Sequence, residues 1–272
     1  MTHWTVGLAR ETPHSLTALG KRSLPERTTV TGREYVLRKV FKNDFFAVTA
    51  MYEAQAGKVI LKVHRQASFL CIPLGWVGRL LAAHEQACFE RLADVEGVPR
   101  FLERWGRTGV VREYIEGHAM RKGEHVPDDF HERLGNLVAV MHQRGMAYVD
   151  LEKCENVLVG DNGRPHLFDF QISWYFPSRW GGELWVLRMM RKRLQRADKY
   201  HLLKLHRRTR RDQLSPDMLA DSYRKPWNVR VFGAVSNPWK RLRRIILNRI
   251  APHRHGGERG RLDNEEQTVG VS

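Results

Sequence analysis

Between Gly145 and Gln171 the chain reads GMAYVDLEKCENVLVGDNGRPHLFDFQ, and three oxygen-bearing side chains, Asp150, Asn156 and Asp169, sit in it among apolar neighbours. A carboxylate flanked by Phe168 and Phe170 is costly to bury unless it is paired or holds a cation. The turn residues Asp161-Asn162-Gly163 fold NVLVG (156–160) against PHLFDF (165–170) as two short strands. Carboxylate and amide oxygens around one point are hard ligands suited to magnesium, which keeps some waters and binds phosphates. A further carboxylate, Asp150, could orient a hydroxyl nucleophile. Together these are the parts that phosphoryl transfer requires.

The segments before this run are strand-like. REYVLRKVF (33–41), FFAVTAMY (45–52) and KVILKVH (58–64) are rich in β-branched and aromatic residues, broken at Asn43-Asp44 and at 54–57. They read as a three-stranded antiparallel meander. LLAAHEQACFERL (80–92) reads as a helix, with FLCIPLGWVGRLL (69–81) as its packed lead-in, and TGVVREYIEG (108–117) as a strand running into a loop. Pro127-Asp128-Asp129 opens a second helix through Gln143, capped by one of the two aspartates and ended by Gly145. Beyond the 156–170 hairpin the chain reads as helical and basic to about residue 250. The order gives an α+β fold of two lobes. Residues 1–30 form a lead-in, 31–117 a strand-rich lobe, 118–250 a helical lobe and 251–272 a disordered tail.

The chain has 272 residues and a formal net charge of +16. Residues 176–255 hold 21 basic and 5 acidic side chains, so the whole excess lies there. Such a block implies an anionic partner. In its C-terminal part, Asn237-Pro238 starts a helix on which Trp239, Leu242, Ile246 and Ile250 make one stripe and Lys240, Arg241, Arg243 and Arg244 lie off it. That pattern suits either packing of the stripe on the helical lobe with the cations facing water or an anionic membrane surface. Three cysteines do not make a disulfide scaffold and fit a reducing compartment. Neither a signal peptide nor an apolar run long enough to span a bilayer is present. The expected place is the cytoplasm, with peripheral contact to the inner face of the membrane. No nucleic-acid motif accompanies the charge.

The run Tyr148-Val149-Asp150, Asn156 and Asp169-Phe170-Gln171 resembles the catalytic loop and metal-binding motif of the protein-kinase-like superfamily. Asn156 and Asp169 stand thirteen residues apart, the spacing usual there. By that resemblance, Lys62 in VILKV holds the nucleotide's α/β-phosphates and Glu85 is its ion-pair partner. The backbone of Glu113 and Ile115, in Arg112-Glu113-Tyr114-Ile115, meets adenine. Asn156 and Asp169 hold Mg²⁺, and Asp150 accepts or orients the acceptor hydroxyl of an ATP-dependent kinase.

The departures point to a compact, atypical member. Tyr148 and Val149 replace histidine and arginine, Gln171 replaces glycine, and Asp150 to Asn156 is one residue longer than usual. No glycine occurs between Gly32 and Gly57, so the Gly-rich phosphate loop is missing. The backbone amides of residues 42–45, with Lys39 or Lys42, would take its place. The pattern is similar to RIO-type protein kinases and to bacterial kinases of lipopolysaccharide core sugars, whose basic C-terminal helices the stretch 185–208 resembles. The implied acceptor is a protein Ser/Thr or a sugar hydroxyl on an anionic glycolipid. The same departures leave open a pseudokinase that binds nucleotide or serves as a scaffold.

Overall fold

The computed structural model describes residues 17–69, 72–175 and 184–224, all within one unit, His14–Pro226. Nine strands and four helices of more than one turn are seen among them. In the first lobe, β1 (Arg27–Val30), β2 (Arg33–Asn43), β3 (Ala47–Ala54), β4 (Gly57–His64), β5 (Phe101–Trp105) and β6 (Gly109–Glu113) form one antiparallel sheet in the order β1-β2-β3-β4-β6-β5. The expected meander is its centre. Beyond it, β1 lies in what reads as a lead-in, and β5 comes from FLERW, which is too polar to announce a strand.

β4 is central and buried along most of its length. Lys62 pairs with Thr49 on one side and Val110 on the other. Side chains alternate across a strand. Val59, Leu61 and Val63 therefore join a core with Tyr35, Tyr52 and Val111, while Lys62 and His64 face the opposite way. Leu19 and Val30 close that core, and Tyr52 donates its hydroxyl to the Pro25 carbonyl at 2.8 Å. From Thr17 onward the lead-in is thus part of the lobe.

Helix α1 (Gly75–Arg91) packs on the other face of the sheet. It begins five residues before the expected start, because two glycines disguise its first turns. A Cβ at Gly78 would lie 2.0 Å from the Arg65 carbonyl, so only glycine lets α1 approach the end of β4 this closely. Ala82, Glu85 and Phe89 then fall three and four apart on the buried face.

The expected 108–117 strand divides in two. β6 ends at Glu113, and β7 (Gly117–Ala119) joins β8 (Val157–Gly160) and β9 (Pro165–Leu167) in a small second sheet. Residues 114–116 link the two sheets. Helix α2 (Phe130–Gln143) buries Phe130, Leu134, Leu137, Val138 and Met141 in a core shared with Phe89, Tyr148 and Phe170. Asp129 stands at its N-cap, but neither aspartate side chain makes a capping bond. Asp129 instead pairs with Arg133 at 2.6 Å, and Asp128 with Arg210 at 2.6 Å. Helix α3 (Trp185–Thr209) and α4 (Pro216–Tyr223), the latter capped by Ser215, complete the described part of the lobe. The 237–250 helix and the tail lie outside the described residues.

Candidate active site

Lys62 Nζ donates to Glu85 Oε1 at 3.0 Å and to Asp169 Oδ1 at 2.8 Å. The ammonium and the Glu85 carboxylate are almost completely buried. Burial works against the charge of each, and the opposite charges outweigh it. Asp169 and Glu85 raise the Lys62 pKa, and Lys62 and His64 lower that of Glu85. At Asp169 burial is likewise overcome, by Lys62, the Gln171 amide and the charge of Lys42, and the carboxyl stays well below its usual range. All three groups are therefore ionised at neutral pH.

Two aromatic edges fix the Asp169 segment. The Phe170 ring meets Phe89 of α1 at 5.0 Å and Tyr148 at 5.6 Å, both near-perpendicular. Glu85 and Phe89 are one turn apart on α1, so a single helix face positions both the lysine's partner and the segment carrying Asp169.

The loop of Asp150 is held from below by Asp198, a wholly buried carboxylate of α3. It accepts the Tyr148 and Val149 amides at 2.8 Å each, and His142 Nε2 lies 3.0 Å away. Val149 has φ of 73°, a left-handed conformation that a β-branched residue adopts only under constraint. Asn156 Nδ2 donates to the Asp150 carbonyl at 3.0 Å, closing the loop on itself. The Asp150 carboxylate pairs with Lys153 at 2.8 Å. Glu152, another carboxylate of the loop, pairs with Lys204 of α3 at 3.2 Å.

Asp169 and the Asn156 side-chain oxygen offer hard donors of the kind Mg²⁺ takes when phosphates and water fill its other positions. Among the described residues there is no cluster of three or more His, Cys, Asp or Glu side chains that could hold a metal. The donor set fits magnesium brought in with a nucleotide.

The β2–β3 turn departs from expectation. The Asp44 amide donates to the Ala47 carbonyl at 3.0 Å, and the Asp44 carboxylate accepts the Phe46 and Ala47 amides at 2.8 and 3.0 Å. Of the expected amides 42–45, that of Asp44 is engaged within the turn, as are the neighbouring amides of Phe46 and Ala47. Arg65 anchors the turn from within, its guanidinium donating to the Phe45 carbonyl at 2.8 Å and lying 3.8 Å from the Phe45 ring centre. Lys42 pairs with Asp44 at 2.9 Å and its charge is felt at Asp169, whereas Lys39 lies exposed over Phe41. Of the expected substitutes for a glycine loop, Lys42 is the one whose charge adds to the lowering at Asp169, and its side chain is exposed and paired with Asp44.

Glu113 and Ile115 stand where the first lobe hands over to the second. The Glu113 carbonyl accepts a bond from Arg112 Nη1 at 3.2 Å. Arg112 itself is buried, with its guanidinium 5.1 Å from the Phe168 ring centre. Burial pushes its pKa down to about 10 against the opposing charges of Glu85 and Asp169, which leaves it cationic at neutral pH. His64, Arg112, Lys153 and Asp198 were not singled out from the sequence as site residues. Trp185 is 72% exposed, Trp174 bridges to Ala147, and Trp180 lies outside the described residues.

A strand-rich lobe, a helix bearing the partner of a strand lysine, and a helical lobe presenting an aspartate loop and a second hairpin make a protein-kinase-like fold. Among solved structures, the chain is similar to the Rio2 kinase of Chaetomium thermophilum in an ADP/Mg²⁺-phosphoaspartate complex, at 18% identity and a TM-score of 0.48, over 72% of this chain and 61% of that one. A second structure of the Rio2 kinase from that organism gives 17% identity and a TM-score of 0.47, over 68% and 62% of the two chains. The match thus spans about three fifths of the Rio2 chains, and it is a likeness of fold. No family model and no curated protein matches the sequence.

Proposed function

We propose that this chain is a phosphotransferase that moves the γ-phosphate of a magnesium-bound nucleoside triphosphate to a hydroxyl group. The observation that carries the reading is the Lys62 ammonium, ionised and buried between Glu85 and Asp169. In this reading Lys62 holds the phosphates, and Lys42 reaches them from the β2–β3 turn. Asp169 and Asn156 hold Mg²⁺, which neutralises charge on the transferring group. Asp150 accepts or orients the acceptor hydroxyl, with Lys153 holding its carboxylate in place. The base lies against residues 113–115, and ATP is the nucleotide implied by the sequence resemblance.

Two acceptor classes remain from the sequence, a protein Ser/Thr and a sugar on an anionic glycolipid. The start of α3 favours the second. Leu184, Trp185, Val186, Met189 and Met190 are exposed there. Along α3 nine basic side chains accompany one acidic one. Apolar and aromatic side chains beside cations suit the interface of an anionic bilayer. No helix among the described residues is long and apolar enough to cross a membrane, so such contact would be peripheral. The test is transfer of labelled γ-phosphate into lysate separated into protein, lipid and RNA pools, with Asp150→Ala as the control. Label in the lipid pool that depends on Asp150 supports the glycolipid acceptor. Equal labelling with the variant removes Asp150 from the chemistry.

One observation favours a second reading. The Asp44 carboxylate occupies the Phe46 and Ala47 amides that a phosphate would otherwise meet. A nucleotide-binding module without turnover would show ligand-dependent stabilisation and no transfer into any pool.

A further inference from the structure

We propose that Arg112 makes the base pocket selective for purines with a 6-oxo group, so that the site takes guanosine or inosine triphosphate in preference to adenosine triphosphate. The inference rests on the reading that the base lies against residues 113–115 and adds to it the identity of that base.

An adenine edge offers N–H donors at its 6-amino group and a lone pair at N1. The partner it needs is an acceptor followed by a donor. Residues 113–115 would supply that pattern through the Glu113 carbonyl and the Ile115 amide, for which no partner is recorded among the described residues. The fold places something else at the first position. Arg112 faces the same side of the sheet as Lys62, since their cross-strand partners, Val110 for Lys62 and Ile60 for Arg112, keep the two side chains in phase. Its guanidinium folds onto the Glu113 carbonyl at 3.2 Å. One of that oxygen's two lone pairs is thereby taken, and a cationic donor stands beside the other.

Arginine carries only donors. A 6-amino group brought there meets donor against donor and leaves a desolvated guanidinium without a new partner. A 6-oxo group brings an acceptor to both Arg112 and the Ile115 amide, while the N1–H beside it, a donor where adenine has a lone pair, must turn to a backbone carbonyl such as that of Ile115; a hydrogen bond to a charged donor is stronger than one between neutral groups. Phe168 at 5.1 Å and the burial of the side chain hold the guanidinium in this place, so it has little freedom to retreat. Sites built to hydrogen-bond a particular polar group reject analogues that lack it more strongly than apolar pockets do.

The experiment is binding, read by thermal shift and calorimetry, of GTP, ITP and ATP, each with Mg²⁺, to the full chain and to Arg112→Met and Arg112→Lys. ITP separates the 6-oxo group from the 2-amino group of guanine. The expected result is GTP and ITP binding at least about tenfold more tightly than ATP, the size of one charge-assisted hydrogen bond. Arg112→Met should bring the preference to parity or reverse it, and Arg112→Lys, which keeps a donor, should retain part of it. Equal or tighter binding of ATP by the unaltered chain overturns the proposal while the nucleotide site stands. Tight GTP with weak ITP overturns it by assigning selection to the 2-amino group. A folded Arg112→Met that keeps the preference overturns it too. Binding of none of the three defeats both this inference and the phosphotransferase reading. Should Arg112→Met not fold, the ratios in the unaltered chain and in Arg112→Lys decide.

Discussion

His64 Nε2 lies 2.8 Å from Glu85 Oε2, so the carboxylate that holds Lys62 by one oxygen is held by a histidine through the other. Both side chains are fully buried. α1 is thereby tied to β4 at two residues of the same strand face. His64→Ala leaves a buried carboxylate oxygen unpaired, at a cost of about 1–3 kcal/mol. We expect weaker binding of Mg²⁺-nucleotide, because Glu85 no longer fixes Lys62, with turnover at saturation less affected. His64→Gln, which can donate to the same oxygen, should restore part of the affinity. A KM unchanged by either substitution would make the contact purely structural.

Asp169 is the group expected to read magnesium. Binding to the native state alone stabilises by RT ln(1 + [L]/Kd), about 2.7 kcal/mol at a hundredfold excess over Kd. For a domain of this size that is roughly 5–10 °C in Tm. With Asp169→Ala the part of the nucleotide shift that depends on Mg²⁺ should vanish and the part that does not should persist through Lys62. A Mg²⁺-dependent shift equal to that of the unaltered chain would place the metal elsewhere.

Asp150→Ala should leave nucleotide binding nearly intact and lower turnover by roughly 10²–10⁴, the usual range for a positioned acid or base. Glu152→Ala is the internal comparison, since that carboxylate pairs with Lys204. Its effect on turnover should stay within about threefold. The reverse ranking would exchange the roles of the two acids.

Asp198 carries the loop without touching the chemistry. Its two amide bonds hold Val149 in a conformation that a free chain would leave. Asp198→Ala should destabilise by about 3 kcal/mol or more, the loss of two charge-assisted hydrogen bonds in a site closed to water. Asp198→Asn keeps one acceptor and should cost less. Denaturant unfolding of both variants measures this, and a change below about 1 kcal/mol for Asp198→Ala would contradict the role.

Lys62 and Asp169 were legible because each stands in a setting that is costly otherwise, a lysine in an apolar strand and an aspartate between two phenylalanines, whereas Glu85 came from the family resemblance. Spacing then ordered them. Asp198 was not legible, since it is a lone acid in a basic helix, 49 residues beyond the Val149 amide it accepts. Its being the one acidic residue of α3 was the available signal. Arg112 was read as backbone, because nothing in RTGVVREYIEG tells which face of the strand its side chain takes. The early turns of α1 were hidden by Gly75 and Gly78, the second of which brings α1 against Arg65, a contact no local pattern encodes. β5 was hidden by its own composition, as Glu103 and Arg104 suit an edge strand and break the apolar alternation.

The helical lobe should lose stability on mild acidification, through His131. Its ring is stacked on His206 at 4.0 Å, its Nε2 lies 2.6 Å from the Thr209 hydroxyl, and Arg210 stands close by, itself paired with Asp128 and Asp212. Burial, with the charges of His206 and Arg210 added, pushes the His131 pKa down to about 3. An unfolded histidine titrates near 6.5. Between these values the unfolded chain binds a proton that the folded chain refuses. Stability is therefore fully present above about pH 6.5 and falls as the pH drops toward 3, by up to about 1.4 kcal/mol per pH unit. His206 and His166, also lowered by burial, add loss of the same sign. Asp169 and Glu85, with lowered carboxyl values, add theirs only as the pH falls below about 4.5, where unfolded carboxyls begin to protonate. The window from pH 6.5 to 4.5 thus isolates the histidines. His131→Gln, which can still bond Thr209 and carries no proton in this range, should flatten the slope of unfolding free energy across that window. Urea unfolding at pH 7.5, 6.0 and 5.0 gives the slopes directly. Identical slopes for the variant and the unaltered chain would mean that His131 takes up its proton in the folded state after all.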